Sequence, residues 1–377
     1  MKRSTDRILT THTGSLPRPD ELVTMLYAKE KGELGDEATF RERVRTATIE
    51  VVQKQLEAGV DVVNDGEVGK IGYATYVKDR LSGFDGEAGP LRSADVLEFP
   101  SFARRVYRLT GVKRPACTGP ITYKDRAALQ RDLDNFRAAL QGGNPTEAFL
   151  SAASPGVISL FLKNDYYPNH EAYVEALAEA MKVEYNAIHQ AGFLLQVDCP
   201  DLAMGRHIQF ADASLADFRK NAELHIEALN HALADIPPER IRLHLCWGNY
   251  EGPHHLDVPL RDIIDIVLKA RPAAISFEAA NPRHAHEWKV FHEFTLPPGK
   301  LLIPGVLDST TNYIEHPELV AERLCRFAEV VGRENVIAGT DCGFATFAGI
   351  AEVDPQITWA KFRAMAEGAR IASEQLW

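Results

Sequence analysis

His244 and Cys246 stand two residues apart in "IRLHLC" (241–246), an otherwise apolar run. On an extended strand, residues i and i+2 point to the same side, so the imidazole and the thiol would share one face. Glu278 ends a second run, "AAISFEA" (273–279), and Cys342 ends a third, "NVIAGTDCG" (335–343). An imidazole, two thiolates and a carboxylate make a typical zinc set. Ligands this far apart in sequence are unlike the paired knuckles of a zinc finger; they fit a catalytic site held on a rigid scaffold. By residue type alone, Glu278 is either a fourth ligand or an acid facing the substrate. Cys117, Cys199 and Cys325 read as small buried hydrophobes, with Cys199 nearest the candidate site. An odd, sparse set of five cysteines argues against a disulfide framework.

Two cysteine ligands leave zinc electron-rich and a weak Lewis acid. That disfavours activation of water for hydrolysis. It favours a site that lowers the pKa of an incoming thiol and keeps the sulfur nucleophilic near neutral pH.

Such residues need elements to place them. Clear strand signals lie at 60–65, 194–200, 241–246, 273–279, 301–308 and 335–343, with weaker ones at 7–15 and 115–120. Amphipathic helices are expected at 39–59, 170–192, 317–332 and 358–377, three of them closed by glycine. Eight strands alternating with helices point to an α/β fold of the (β/α)8 TIM-barrel type, in one domain over 1–377. The stretches 84–111 and 121–169 read as loop insertions after strands two and three. In such barrels the active site lies at the C-terminal strand ends. Here those ends read "THTGS", "NDGE", "CTGP", "VDCP", "HLC", "FEA", "VLDS" and "TDCG". Polar groups are concentrated on that side.

With 377 residues, 45% hydrophobic, and a formal net charge of −11, the chain lacks the basic footprint of a nucleic-acid binder. It has no apolar run long enough for a membrane span. The first fifteen residues carry no signal-type apolar segment, so a cytoplasmic location is expected. The apolar C-terminal helix with Trp377 is suited to packing on a partner, so a homo-oligomer is an open expectation.

Taken in order, these segments resemble cobalamin-independent methionine synthase, in its catalytic zinc domain. "LTTHTGSLPRPDEL" is similar to that family's first-strand motif. "GVDVVNDGEVGKIGYATYVKDRLSGF" resembles its second, where a glutamate precedes a "DMVEYF"-like helix. "ACTGPIT" resembles "LTGPVT", and "LLQVDCPDL" resembles "IQIDEPAL". "HLC", "ISFEA", "IPGVLDS" and "GTDCG" resemble the remaining strand ends in the same order.

The resemblance implies zinc held by His244, Cys246, Glu278 and Cys342. It implies that Ser15, Glu67 and Asp198 hold the amino acid part of homocysteine. Read without it, Ser15 would cap the helix near Asp20, Glu67 would form a loop salt bridge, and Asp198 would cap 201–204. Three departures stand out. The full synthases carry a second, N-terminal barrel. They place a histidine two residues after the strand-seven aspartate, where this chain has Thr310 after Asp308. The segment 278–288 adds His284 and His286, which with Asp308 are the candidates for acid–base work. The expected activity is zinc-dependent methylation of a small thiol from a methyl-folate, a methyl-corrinoid (a corrinoid protein being then a partner) or another methyl donor. The alternatives are addition of a coenzyme M-type thiol to an epoxide, and a non-catalytic zinc or corrinoid-partner barrel.

Overall fold

The computed structural model describes residues 1–106 and 114–377. Seven strands form one curled parallel sheet: β1 (Val62–Asn64), β4 (Glu147–Ala153), β5 (Leu194–Asp198), β6 (Ile241–Leu245), β7 (Ala274–Phe277), β8 (Leu301–Leu307) and β9 (Gly339–Thr340), in that order. Two further short strands, β2 (Phe84–Asp85) and β3 (Ala116–Cys117), pair antiparallel in a separate ribbon. Every residue of β1, β5, β6, β7 and β8 is buried. Burial on both faces explains why these strands read as continuous apolar runs and not as alternating ones.

The segment around Thr10 lies between the two outer strands. Thr11 N–H donates to the Ala338 carbonyl at 2.8 Å, and Val62 N–H donates to the Thr10 carbonyl at 3.0 Å. The weak strand signal at 7–15 is therefore a bridge linking both edges of the sheet.

Helices follow the capping chemistry in the sequence. Asp36 caps Glu37–Glu57, Asn169 caps His170–Gln190 and Ser214 caps Leu215–Ala232, each side chain accepting a backbone N–H. Pro317 opens Pro317–Val331, and Gly332 follows it at φ 88°. The last helix, Pro355–Leu376, begins three residues earlier than expected.

Two sequence expectations are corrected. The third parallel strand is β4, paired with β1 and β5, and not 115–120, which lies in the antiparallel ribbon. "EAFLSAA" has no β-branched residue, so it carries little strand propensity of its own; burial of Phe149, Leu150, Ala152 and Ala153 places it. Consequently 121–169 is not a loop insertion, because it holds β4 and the helix Pro155–Phe161. The long excursion falls between β1 and β4, over 65–146. It takes in the 84–111 stretch, of which 107–111 lies outside the described residues.

His12 is buried, its ring 5.5 Å from both Phe149 of β4 and Phe362 of the last helix. Burial pushes it down to about 3, despite a 2.8 Å contact between Nε2 and Gln55 Oε1. The unfolded imidazole binds its proton near pH 6.5, so between about 6.5 and about 3 the unfolded chain holds more protons. Stability from this group is lost as pH falls through that window, by up to about 1.4 kcal/mol per pH unit. Replacing His12 with Gln removes that loss. Denaturant midpoints at pH 7 and pH 5 should converge or cross between variant and wild type; a constant gap would contradict a neutral buried His12.

Candidate metal centre

The sheet delivers three donors to one place. His244 lies in β6, Cys246 follows it directly, and Cys342 follows β9. One ligand atom from each lies within 4.8 Å of the other two, and all three residues are buried. The two sulfurs are 3.6 Å apart and neither cysteine is in a disulfide. Gly248 N–H donates to Cys246 Sγ at 3.2 Å.

The histidine is set up as a ligand. Its Nδ1 lies 3.3 Å from Ser276 Oγ, while its Nε2 is buried with no partner. A buried orphan nitrogen costs free energy unless something fills the gap. Burial, with Arg242 nearby, pushes His244 down to about 3, so the ring is neutral and its lone pair is available. The contact with Cys342 and then burial push the Cys246 thiol well above its ordinary value. A bound cation reverses that shift. The donor set thus fits a metal ion of zinc type.

Glu278 is beside this group and not inside it. Its Oε1 accepts the Trp247 N–H and its Oε2 accepts the Asn281 amide, both at 2.7 Å. Burial first, then Cys246, push its carboxyl well above the ordinary range.

Ser15, Glu67 and Asp198 gather at the same mouth. Ser15 is buried against Gly343, where a Cβ would overlap its Oγ. It does not cap the helix Asp20–Lys31, which has no side-chain cap. Glu67 is buried at φ 53°, a strained value for a non-glycine residue. Its Oε2 has no partner, and a Cβ at Gly14 would overlap its Oε1. Asp198 ends β5 and accepts from the Gln196 amide at 2.8 Å. Burial, then the facing Glu67, push its carboxyl well up. It caps no helix; Cys199 occupies that position before Pro200–Leu202. Two buried carboxyl groups facing each other could hold a cationic group.

The candidate acids behave differently. Asp308 spends its carboxylate on its own loop, accepting from Thr310 N–H and Oγ1 at 2.8 Å and from Thr311 Oγ1 at 3.0 Å. His284 is buried, with Nδ1 2.8 Å from Glu287 and Nε2 3.1 Å from Asp257. Its ring stacks on Trp247 at 4.0 Å. Burial opposes its charge, yet these carboxylates hold it up at about 10. Both nitrogens are engaged, so it anchors the loop beside Cys246. His286 is exposed and stands outside that network.

Three contributors were not singled out in the sequence. Asp341 accepts backbone N–H groups from Ala279, Ala280 and Asn281 at 2.7–2.8 Å. Burial, then Asp308, raise it to about 6. Arg242, buried in β6, donates to Thr11 Oγ1 at 2.8 Å and to the His12 carbonyl at 2.7 Å. Tyr73 reaches in from the 65–146 excursion; after burial, Cys246, Cys342 and Asp198 are the groups that raise its phenol. Asp341 lies inside "GTDCG", where the cysteine drew the reading. Tyr73 has no strand-end signal at all.

A curled parallel sheet with a thiol–imidazole cluster at its C-terminal ends defines a barrel-like α/β protein with a group of side chains that could hold a metal ion. The family model described as the cobalamin-independent synthase catalytic domain matches residues 158–369. The chain belongs to that family. It is 24% identical over 367 residues to a methionine synthase of Thermococcus kodakarensis, covering 97% of this chain and 94% of that one. It is 26% identical over 370 residues to the methionine synthase of Saccharolobus solfataricus, covering 97% and 95%. A B12-independent methionine synthase from Shewanella sp. W3-18-1, solved in complex with selenomethionine, superposes with a TM-score of 0.75 at 20% identity, covering 98% of this chain and 99% of that one. No helix among the described residues is long and apolar enough to cross a membrane.

Replacing Asp341 with Asn keeps all three donors and removes the charge that holds 279–281. Metal affinity should fall by about 10–100-fold, read by competition with a chromophoric chelator. Unchanged affinity would deny Asp341 its positioning role.

Proposed function

We propose that this chain is a zinc-dependent thiol methyltransferase that converts homocysteine, or a closely similar amino-acid thiol, to its methyl thioether. The observation that carries the reading is the cluster of His244, Cys246 and Cys342, with the buried nitrogen of His244 lacking any partner. These three residues would hold zinc, and Glu278 would serve as the fourth ligand before substrate arrives. Zinc bound there would lower the pKa of the incoming thiol so that it reacts as the thiolate near neutral pH.

The protein's own groups would do the rest. Glu67 and Asp198 bind the substrate ammonium between them, and Ser15 contributes its hydroxyl to the amino acid end. Fixing both ends of the acceptor aligns the sulfur with the methyl group, which is the main source of acceleration in such transfers. The methyl donor, a methyl-folate, a methyl-corrinoid or another methyl compound, would occupy the cavity of about 470 Å³ lined by Phe161, Arg92 and Arg114. Phe161 packs its ring 5.7 Å from Tyr73, the residue that faces the thiols. His284 holds the loop of Cys246, and Asp308 the loop after β8; we assign neither, nor His286, direct contact with the reacting atoms.

For the fold, we read the bridge at Thr10 as the first strand of a closed (β/α)8 barrel spanning 1–377 as one domain. The link from Ala338 through Thr10 to Val62 supports it. A cytoplasmic location agrees with a chain whose five cysteines are all free thiols.

Methyl transfer to L-homocysteine, followed with methyl-folate and methylcobalamin in parallel, tests the reading. Asp198→Asn should raise the KM for homocysteine by about 10–100-fold, the cost of losing a charged hydrogen bond, with zinc retained. Cys342→Ser should lose both zinc and turnover. Full activity in zinc-free Cys342→Ser protein would overturn the proposal.

A further inference from the structure

A second polar chain lies outside the metal centre. Ser154, at the end of β4, receives Val157 N–H on its hydroxyl oxygen at 3.0 Å and donates to Asp201 Oδ1 at 2.8 Å. Asp201 Oδ2 lies 2.9 Å from His225 Nδ1. His225 Nε2 lies 2.8 Å from His170 Nε2. Ser154, Asp201 and His225 are buried. His170 is half-buried and lines the 470 Å³ cavity. A Cβ at Gly156 would overlap both the Asp201 carboxylate and the His225 ring, so this close approach depends on glycine there.

The hydrogen bonds restrict where protons sit. Asp201 accepts from Ser154, so its other oxygen takes the hydrogen of His225 Nδ1. Two states then satisfy every contact. With His225 neutral, its Nε2 accepts from His170, and His170 Nδ1 is left as a bare lone pair. With His225 charged, its Nε2 donates to His170, and His170 Nδ1 carries a hydrogen. The states differ by one proton, and only hydrogens move between them. In the charged state the cation rests against Asp201, and His170 becomes a donor on the cavity side.

The cavity favours that donor state when an anion enters. Arg92, Arg114 and Lys163 line it in a chain of net charge −11. Asp165 pairs with Lys163 at 2.7 Å and Glu87 faces Arg114, so the cationic balance falls to Arg92, with Arg114 beside it as a further donor. Phe161 and Tyr173 supply aromatic wall. On its buried side the histidine pair faces Asp201, Ser154 and the Phe210 ring, with Cys199 and Tyr185 beyond Asp201. Burial and the neighbouring His225 push His170 down to about 4, so it is neutral before a ligand arrives.

We propose that His170, His225, Asp201 and Ser154 form a proton relay, through which the cavity binds an anionic ligand bearing an aromatic ring with uptake of one proton. The relay stands on its own geometry; only the ligand's identity as methyl donor rests on the function proposed above.

The probe is N-benzoyl-L-glutamate, which has a ring for Phe161 and two carboxylates for the arginines. Its binding to the zinc-loaded protein is measured calorimetrically near neutral pH in bis-Tris and in Tris, cationic buffers whose different ionisation enthalpies report proton uptake. Wild type should take up close to one proton. Asp201→Asn should abolish the uptake and weaken binding about ten-fold; His170→Gln, which leaves the buried Asp201–His225 pair in place, should abolish it too. Binding without uptake, or unchanged uptake in Asp201→Asn protein of wild-type circular dichroism, would overturn the relay. Absence of binding would overturn it together with the anion site. None of these results alters zinc content or homocysteine binding, so the thiol reading fails or stands separately.

Discussion

One buried carboxylate outside the cluster of His244, Cys246 and Cys342 ties the strand ends around that cluster together. Asp341 turns inward between the ends of β9 and β7 and takes three successive backbone N–H groups, with the Asn281 amide as a fourth donor at 3.0 Å. Gly305 of β8 leaves room for it; a Cβ there would overlap the carboxylate. Burying a carboxylate costs several kcal/mol unless its lone pairs are filled, and here the chain after β7 fills them. The result ties Cys342, one residue on, to the segment that carries Glu278. Asn281 completes the tie by donating to both Asp341 and Glu278. The thiol at one strand end and the carboxylate at another are thereby held against Cys246.

Around that tie, the sheet divides its labour. The apolar side chains of the strands pack in the core. The strand ends carry chemistry. His244 and Cys246 share a face because a strand repeats every two residues. Asp198 sits directly across from His244 in the β5–β6 register. Glu67 comes from the turn after β1, where a positive φ aims it into the mouth. Arg242, one strand repeat below His244, joins β6 to the bridge segment that leads to Ser15. Tyr73, from the segment between β1 and β4, comes near the sulfurs.

The sequence discloses the parts of this that follow from local pattern. Parallel strands buried on both faces read as apolar runs, so β5, β6, β7 and β8 are legible to within a residue or two. Cysteine and histidine at run ends stand out by residue type. What escapes notice depends on tertiary contact. β4 is alanine- and serine-rich and becomes a strand only because its neighbours bury it. "ACTGPIT" carries the turn residues of a strand end but pairs with β2 in the ribbon. Asp341 is a lone acid in a motif already explained by its cysteine. His284 invites an acid–base role because it lies on a loop at the mouth; its two carboxylate partners come from Asp257 and Glu287, and that pairing is invisible before folding.

The central claim is that His244, Cys246 and Cys342 form a zinc site that receives a thiol. The most direct test is zinc content of the purified protein, followed by X-ray absorption at the zinc edge with and without L-homocysteine. The account predicts one zinc per chain, with two sulfur neighbours at rest and a third when homocysteine is added. A protein that binds no zinc when supplied with it, or whose sulfur count is unchanged by saturating homocysteine, would contradict it.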